Sequence, residues 1–320
     1  MHFLLPLKFP ALSTPIGYQD IIYLTGSCFT EHMSRFLAKA KFRIASNAHG
    51  ILFNPFSVCK SIHDVIEQKR YTADELFCLD EYWHSWYHHS DFSNLNQADV
   101  LTRINKTIVQ HHDLLKKSNF MILTLGSAFA YQHIEKAIYV NNNHRAPHAW
   151  FRKELLSVEA MVYALQQMQQ ALHTFNPDCK IIFTISPVRH SRDGVIENNR
   201  SKARLIEAVH QMKDCYYFPA YEIVIDELRD YRFYDADLVH PNYAATQYVW
   251  EKFLTHCIDA NCHETIQEMD ELSKALHHKP KNASSKAHQQ FLRQFYQKTL
   301  ALKNRFPYLD FEQELAYFIE

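Results

Sequence analysis

Apolar residues recur along this chain in two rhythms. Short runs rich in β-branched and aromatic residues lie at 20–26 (DIIYLTG), 41–46 (KFRIAS), 119–126 (NFMILTLG), 180–187 (KIIFTISP) and within 215–224 (CYYFPAYEIV). They read as strands. Between them, segments 29–40, 54–68, 97–118, 157–175, 200–214 and 242–260 place apolar residues at every third or fourth position. These read as amphipathic helices. Pro55 suits a first helical turn, and Ser157 offers an N-cap. Residues 72–96, crowded with aromatics and histidines, read as an insertion or a short β-element. Strands alternating with long helices pair in parallel and are covered on both faces, which predicts a three-layer α/β/α sandwich. Past residue 260 the pattern changes: 263–278 and 286–306 are helical, joined by KPKNASS, and no strand is expected. The predicted organisation is an α/β domain over 1–259 with a helical appendage, 260–320, packed on it.

Parallel sheets gather functional groups at the carboxyl ends of their strands. Gly26-Ser27, Gly126-Ser127 and Ser186-Pro187 all end β-like runs, so they are expected on one rim. The chain has only five glycines in 320 residues, namely Gly17, Gly26, Gly50, Gly126 and Gly194. Ordinary usage is about 7%, so each is expected where the backbone demands it. A hydrophobic content of 47% supports a large core, and with a net charge of −1 nothing argues for a nucleic-acid footprint or a polybasic membrane patch. Seven cysteines without a CxxC pair read as reduced thiols in a cytoplasmic protein. The N-terminal MHFLLPLKFP is broken by Pro6, Lys8 and Pro10, so no signal peptide is expected, and no run approaches about 18 apolar residues. No cofactor is called for.

The candidate chemistry starts at LTGSCFTEHM, residues 24–33. Ser27 is a nucleophile, or Cys28 is, or Ser27 merely caps the helix. A serine nucleophile needs a base and a carboxylate to orient it. Downstream, DADLVHPN places Asp237 three residues before His240, with Asp235 as a competing carboxylate. An aspartate at that spacing reaches the Nδ1 of the histidine and leaves Nε2 facing outward. His84, His88 and His89, near Asp91, invite a zinc reading, but only on a helix. Their aromatic neighbours fit an extended wall beside the site better, with His89 facing it and no metal. Arg189 and His190 in SPVRHSRDG, like His144 and Arg145 in NNNHRAP, read either as solvated turn charges or as contacts to an anion or sugar hydroxyl. DELRDYRFYD reads as an ion-pair network holding the Asp237–His240 loop.

Taken together, GSCFTEHM, GILFNPFS, HHSDFS, LTLGSAFAY, NNNHRAP, SPVRHSRDGVIENNRSKARL and FPAYEIVIDELRDYRFYDADLVHPN strongly resemble the GSCFA-domain family, a branch of the SGNH/GDSL hydrolase-like superfamily. The resemblance covers nearly the whole chain. It implies a flavodoxin-like α/β/α sandwich of the SGNH hydrolase type. It also implies Ser27 as nucleophile, Asp237 and His240 as its partners, and Gly50 and Gly126 at the oxyanion blocks. Two departures stand out: Gly26 replaces the usual aspartate before the nucleophile, and GSAFAY lacks the usual oxyanion asparagine. Asn54, Asn142 or a backbone N–H is expected in its place. The implied activity is hydrolysis of an acylated small molecule or carbohydrate ester. O-acyl transfer, or non-catalytic binding of a glycan or small molecule, is the alternative.

Overall fold

The computed structural model describes residues 5–319. The start of the N-terminal segment, on which the signal-peptide reading rests, therefore lies outside the described residues. In chain order the elements begin with β1 (Ile21–Gly26), α1 (Cys28–Lys39), β2 (Arg43–Ser46) and α2 (Pro55–Ile66). A hairpin, β3 (Leu76–Leu79) and β4 (Tyr82–Ser85), leads to α3 (Gln97–Lys116) and β5 (Phe120–Leu125). Then come β6 (Phe129–His133), β7 (Ile138–Val140), β8 (Phe151–Leu155), α4 (Val158–Phe175), β9 (Lys180–Ile185) and α5 (Val195–His210). After β10 (Cys215–Phe218), a short helix α6 (Ala220–Glu222) runs into a π turn over Ile223–Leu228. The chain closes with α7 (Tyr243–Cys257), α8 (His263–Leu276), α9 (Lys286–Arg305) and α10 (Glu312–Ile319).

Five strands form one parallel sheet in the order β10-β9-β5-β1-β2. This is the flavodoxin-like order, in which the chain reverses direction across the sheet between β1 and β5. Gly26-Ser27 and Gly126-Ser127 sit at the carboxyl ends of those two strands, where they pack against each other.

Alternation along each strand divides the core in two. Ile22, Leu24, Ile122, Ile182 and Phe218 face α1 and α7. Tyr23, Met121, Leu123, Ile181, Phe183 and Ile185 face α2, α4 and α5. All six residues of β5 are buried, as a central strand covered on both faces requires. The C-terminal helices join the first of these cores: Ile266, Met269 and Leu272 of α8, Leu302 of α9 and Phe318 of α10 pack in one cluster with Ile22 and Phe29. Among the described residues, no helix is long and apolar enough to cross a membrane.

Residues 72–96 fold as the β3–β4 hairpin and its flanks, so the short β-element is what forms. Its histidines diverge: His84 Nδ1 meets Ser93 Oγ at 2.7 Å, His88 Nδ1 meets Ser85 Oγ at 2.9 Å, and His89 Nδ1 lies 3.1 Å from Asp91. Among the described residues, no group of three or more His, Cys, Asp or Glu is placed to hold a metal ion. A second small sheet, β7-β6-β8, is antiparallel and had no counterpart among the predicted strands. Its strands are three to five residues long and mostly half-exposed, so they carry no clean alternation.

Behind the hairpin, Asp64 sits almost fully buried. It accepts from Tyr71 Oη at 2.7 Å and Lys60 Nζ at 3.0 Å, and meets His49 Nε2 at 3.2 Å. Burial alone would raise its carboxyl, but hydrogen bonding to His49 and Tyr71 and the Lys60 charge overcome this and hold it at about 2. A depressed folded-state pKa stabilises above the unfolded value, about 4, and that contribution is lost as pH falls toward the folded value. Asp64→Asn is therefore expected to cost about 2 kcal/mol or more at neutral pH. It should also flatten the loss of stability below about pH 4. Urea denaturation across that range measures both.

Candidate active site

Gly26 ends β1 with φ at +138°, and a Cβ built there would lie 2.1 Å from the Thr124 carbonyl oxygen of β5. The close approach leaves room only for glycine. The turn after it is held on every side: Gly26 N–H donates to Asn47 Oδ1 at 3.1 Å, Ser27 N–H to Thr124 O at 3.0 Å, and Leu52 N–H to Gly26 O at 2.8 Å. Asn47 in turn donates to Glu31 Oε1 of α1 at 2.7 Å.

Ser27 follows as the N-cap of α1, yet its hydroxyl caps nothing. Its Oγ is buried and has no hydrogen-bond partner among the described residues. Leaving a buried hydroxyl unpaired costs about 1–3 kcal/mol, so the capping role does not explain why serine stands here. Cys28 is the first helical residue. Burial pushes its thiol pKa up, against the lowering effects of Lys202 and of the Cys28 and Phe29 amides. The protonated thiol is thereby favoured, which counts against Cys28 as the nucleophile.

Gly126 packs against Ser27, and a Cβ on it would sit 3.0 Å from the Ser27 Cβ. Its N–H and that of Ser127 both donate to Phe53 O, at 2.8 and 2.9 Å. Gly50, with φ at +78°, lies against the His89 Cβ and donates its N–H to Asn47 O at 2.8 Å. The amides of Ser27, Gly50 and Gly126 are thus already engaged. At the open N-terminus of α1, the amides of Cys28 and Phe29 border the Cys28 thiol instead.

The second half of the site is the turn before α7. Asp237 Oδ2 meets His240 Nδ1 at 2.7 Å, while Oδ1 accepts from the Val239 and His240 amides at 2.9 and 3.0 Å. The His240 amide, the His240 ring and the Val239 amide together hold the Asp237 carboxyl at about 2. Asp235 contributes through its backbone, its N–H donating to His240 O at 2.8 Å and its carbonyl accepting from Leu238 N–H at 2.9 Å. The turn is tied to the loop after β9 by Arg189 N–H to Val239 O at 3.0 Å, and to α7 by Asn242 Nδ2 on Arg232 O at 2.7 Å. Instead of an interlocking network, 226–235 carries, among the described residues, the exposed pair Asp230–Arg232 and the pair of buried Glu227 with Lys252 of α7, at 2.7 Å. Backbone bonds and Asn242 hold the loop instead.

Both halves share the rim. His32 on α1 and His190 after β9 both sense the charge of His240. No hydrogen bond joins Ser27 to His240: the serine is covered, while the histidine side chain is 45% exposed. His190 lies near Phe53 on the same rim. Its ring is edge-on to Phe53 at 5.5 Å, its backbone N–H donates to Asn198 Oδ1 at 2.9 Å, and its buried Nε2 has no partner among the described residues. Burial, helped by Lys202 and His240, pushes its pKa down to about 4. Arg189 lies 5.4 and 5.5 Å from the Tyr231 and Tyr234 ring centres. With Ser191, Asn198 and Asp237 it borders a cavity of about 190 Å³. A larger cleft, about 480 Å³ between α4 and the turn before β10, opens on the opposite rim.

The other candidates have structural employment. Asn54 caps α2, its Oδ1 accepting from Ser57 N–H and its Nδ2 donating to Ser57 Oγ, both at 2.9 Å. Asn142 donates to Ser90 Oγ at 3.1 Å and accepts from His144 N–H at 2.9 Å. His144 bonds Ser85 O through Nε2 at 2.9 Å, and burial pushes its pKa down to about 4. His89 caps the short turn Ser90–Phe92. Asn142, His144 and His89 organise the hairpin and the segment after β7. What the sequence reading missed is Lys202, fully buried on α5, with its Nζ donating to Gly126 O at 2.7 Å and Ser186 O at 2.6 Å. A charged residue on the apolar stripe of an amphipathic helix was the available signal.

No curated protein matches the chain. Among solved structures it is similar to an acetyl esterase mutant crystallised with an acetate ion, at 10% identity and a TM-score of 0.36, over 79% of this chain and 99% of that one. The model of the GSCFA family matches residues 21–253, and that of the GSCFA domain protein, C-terminal domain, matches 269–320. On that coverage the chain belongs to the GSCFA family.

Proposed function

We propose that this protein is a serine-dependent ester hydrolase of the SGNH type, working through an acyl-enzyme on an acylated, carbohydrate-like substrate in the cytoplasm. The observation that carries this reading is the pairing of an unemployed, buried Ser27 hydroxyl at a helix N-terminus with an Asp237–His240 couple on the same rim. Asp237 holds Nδ1 of the imidazole and leaves Nε2 free to take a proton. In the reactive arrangement the imidazole swings from the surface onto Ser27, and substrate binding uncovers the buried hydroxyl. Ser27 Oγ attacks the carbonyl carbon as Nε2 takes its proton, and the same proton then goes to the leaving alkoxide. Water repeats the sequence to release the acid. The oxyanion falls to the open amides of Cys28 and Phe29 at the positive end of α1. The acetylated-carbohydrate substrate is an analogy with the superfamily.

Hydrolysis of p-nitrophenyl acetate at pH 7 tests the couple. Asp237→Asn is expected to lower kcat by about a hundredfold or more, because the amide can hold the wrong imidazole tautomer. Cys28→Ala should stay within about threefold of the parent. Loss of activity in Cys28→Ala alone would make the thiol the nucleophile.

The closed state of Ser27 also favours a second reading, a binding protein that keeps the scaffold without turnover. Its signature would be ligand affinity unaffected by Asp237→Asn and no hydrolysis by the parent protein.

A further inference from the structure

The inner face of α5 is polar where a helix packed on a sheet is ordinarily apolar. Asn198, Ser201 and Lys202 are all buried there, one turn before the apolar Leu205. Each grips the rim: Asn198 takes the His190 amide at 2.9 Å, Ser201 Oγ takes the Ala128 amide at 2.7 Å, and Lys202 Nζ bridges the Gly126 and Ser186 carbonyls. Those two carbonyls follow the adjacent strands β5 and β9. Gly126 is also the residue pressed against the Ser27 side chain.

We propose that Lys202 is the positioning residue of the nucleophile turn, its ammonium clamping the ends of β5 and β9 against Ser27 and supplying the positive charge of the site. This rests on the serine-hydrolase reading. Lys202 is not the base, since it makes no hydrogen bond to Ser27 Oγ and donates to two carbonyls. It acts through Gly126, which it holds in register with Ser27, and through its field, which favours the negative charge that develops when Ser27 attacks. A lysine does this where an asparagine would not, because a single Nζ donates to two carbonyls and still carries a full charge. The titratable groups facing it are Cys28 from α1, His190 from the β9–α5 loop and Tyr221 from α6, whose ring centre is 5.6 Å from Nζ. Burial, only partly offset by Cys28, pushes the Lys202 pKa down to about 7. The charge is therefore present below neutrality and lost above it.

Two readouts on the full chain test this. The first is independent of turnover: the rate of Cys28 alkylation by iodoacetamide at pH 6.5, read by peptide mass mapping. Lys202→Met should slow it by about threefold or more, and Lys202→Arg should not. The second is the pH profile of kcat/KM for p-nitrophenyl acetate. The parent should lose rate as pH rises through about 7, Lys202→Arg should move that limb up by more than about one unit, and Lys202→Met should fall about a hundredfold. A parent profile with no loss above neutrality would overturn the proposal even if no variant folds. So would a folded Lys202→Met with parental kinetics, or with unchanged Cys28 alkylation. If Ser27→Ala retains hydrolysis, the hydrolase reading fails, while the alkylation arm still reports whether the Lys202 charge governs the turn.

Discussion

Ser27→Ala is expected to reduce ester hydrolysis by at least about a thousandfold while leaving the fold intact or slightly more stable. The two effects have one cause. The Oγ is buried beside Gly126 with no partner, so the folded protein bears its desolvation without a compensating bond. Removing it deletes the attacking atom and, by the same change, relieves a cost of about 1 kcal/mol. A structural serine behaves in the opposite way, because losing an N-cap costs about 1 kcal/mol. Parallel kinetics and thermal melts on the parent and Ser27→Ala decide the matter. Lost activity with an unchanged or raised midpoint supports catalysis, and a lowered midpoint with retained activity returns Ser27 to helix capping.

Gly26→Ala should act through the backbone. The new Cβ would stand 2.1 Å from Thr124 O, at a φ of +138° that side chains rarely adopt. Neither contact can yield without separating β1 from β5 at the centre of the sheet. The expected cost is about 3 kcal/mol or more, a large share of ordinary domain stability. Reduced yield and a much lower denaturation midpoint are the signs to look for. A variant as stable as the parent would show that the turn is not held as described. Glycine thus stands before Ser27 because the backbone needs it there, and no side chain has room at that position.

How much of this was legible in sequence depended on the length and regularity of each signal. The five parallel strands and most of the long helices showed themselves because buried strands such as Phe120–Leu125 are uninterrupted apolar runs. The shared rim followed from Gly26 and Gly126 standing at the ends of β-like runs. The small β7-β6-β8 sheet did not show, because segments such as Phe151–Leu155 alternate weakly and pair only with distant residues. The first turn of α5 was missed because Gly194, at φ +91°, opens it five residues before the apolar pattern becomes clear. For the site, the Asp237–His240 contact was readable from a three-residue spacing, since the turn is local. The oxyanion candidates were not: Asn54 looks the same in sequence whether its amide caps α2 or faces a substrate. Lys202 was overlooked because its partners, Gly126 and Ser186, are brought to it by the fold from 76 and 16 residues away.

The central claim, that Ser27 forms a covalent intermediate, is tested most directly by trapping it. The parent protein is treated with a fluorophosphonate, digested, and the modified residue located by fragmentation mass spectrometry, with Cys28→Ala as the background that separates the adjacent side chains. One adduct is expected, on Ser27, formed equally in Cys28→Ala and lost when His240 is replaced by alanine. An adduct confined to Cys28, or labelling of Ser27 that proceeds unchanged without His240, would contradict it.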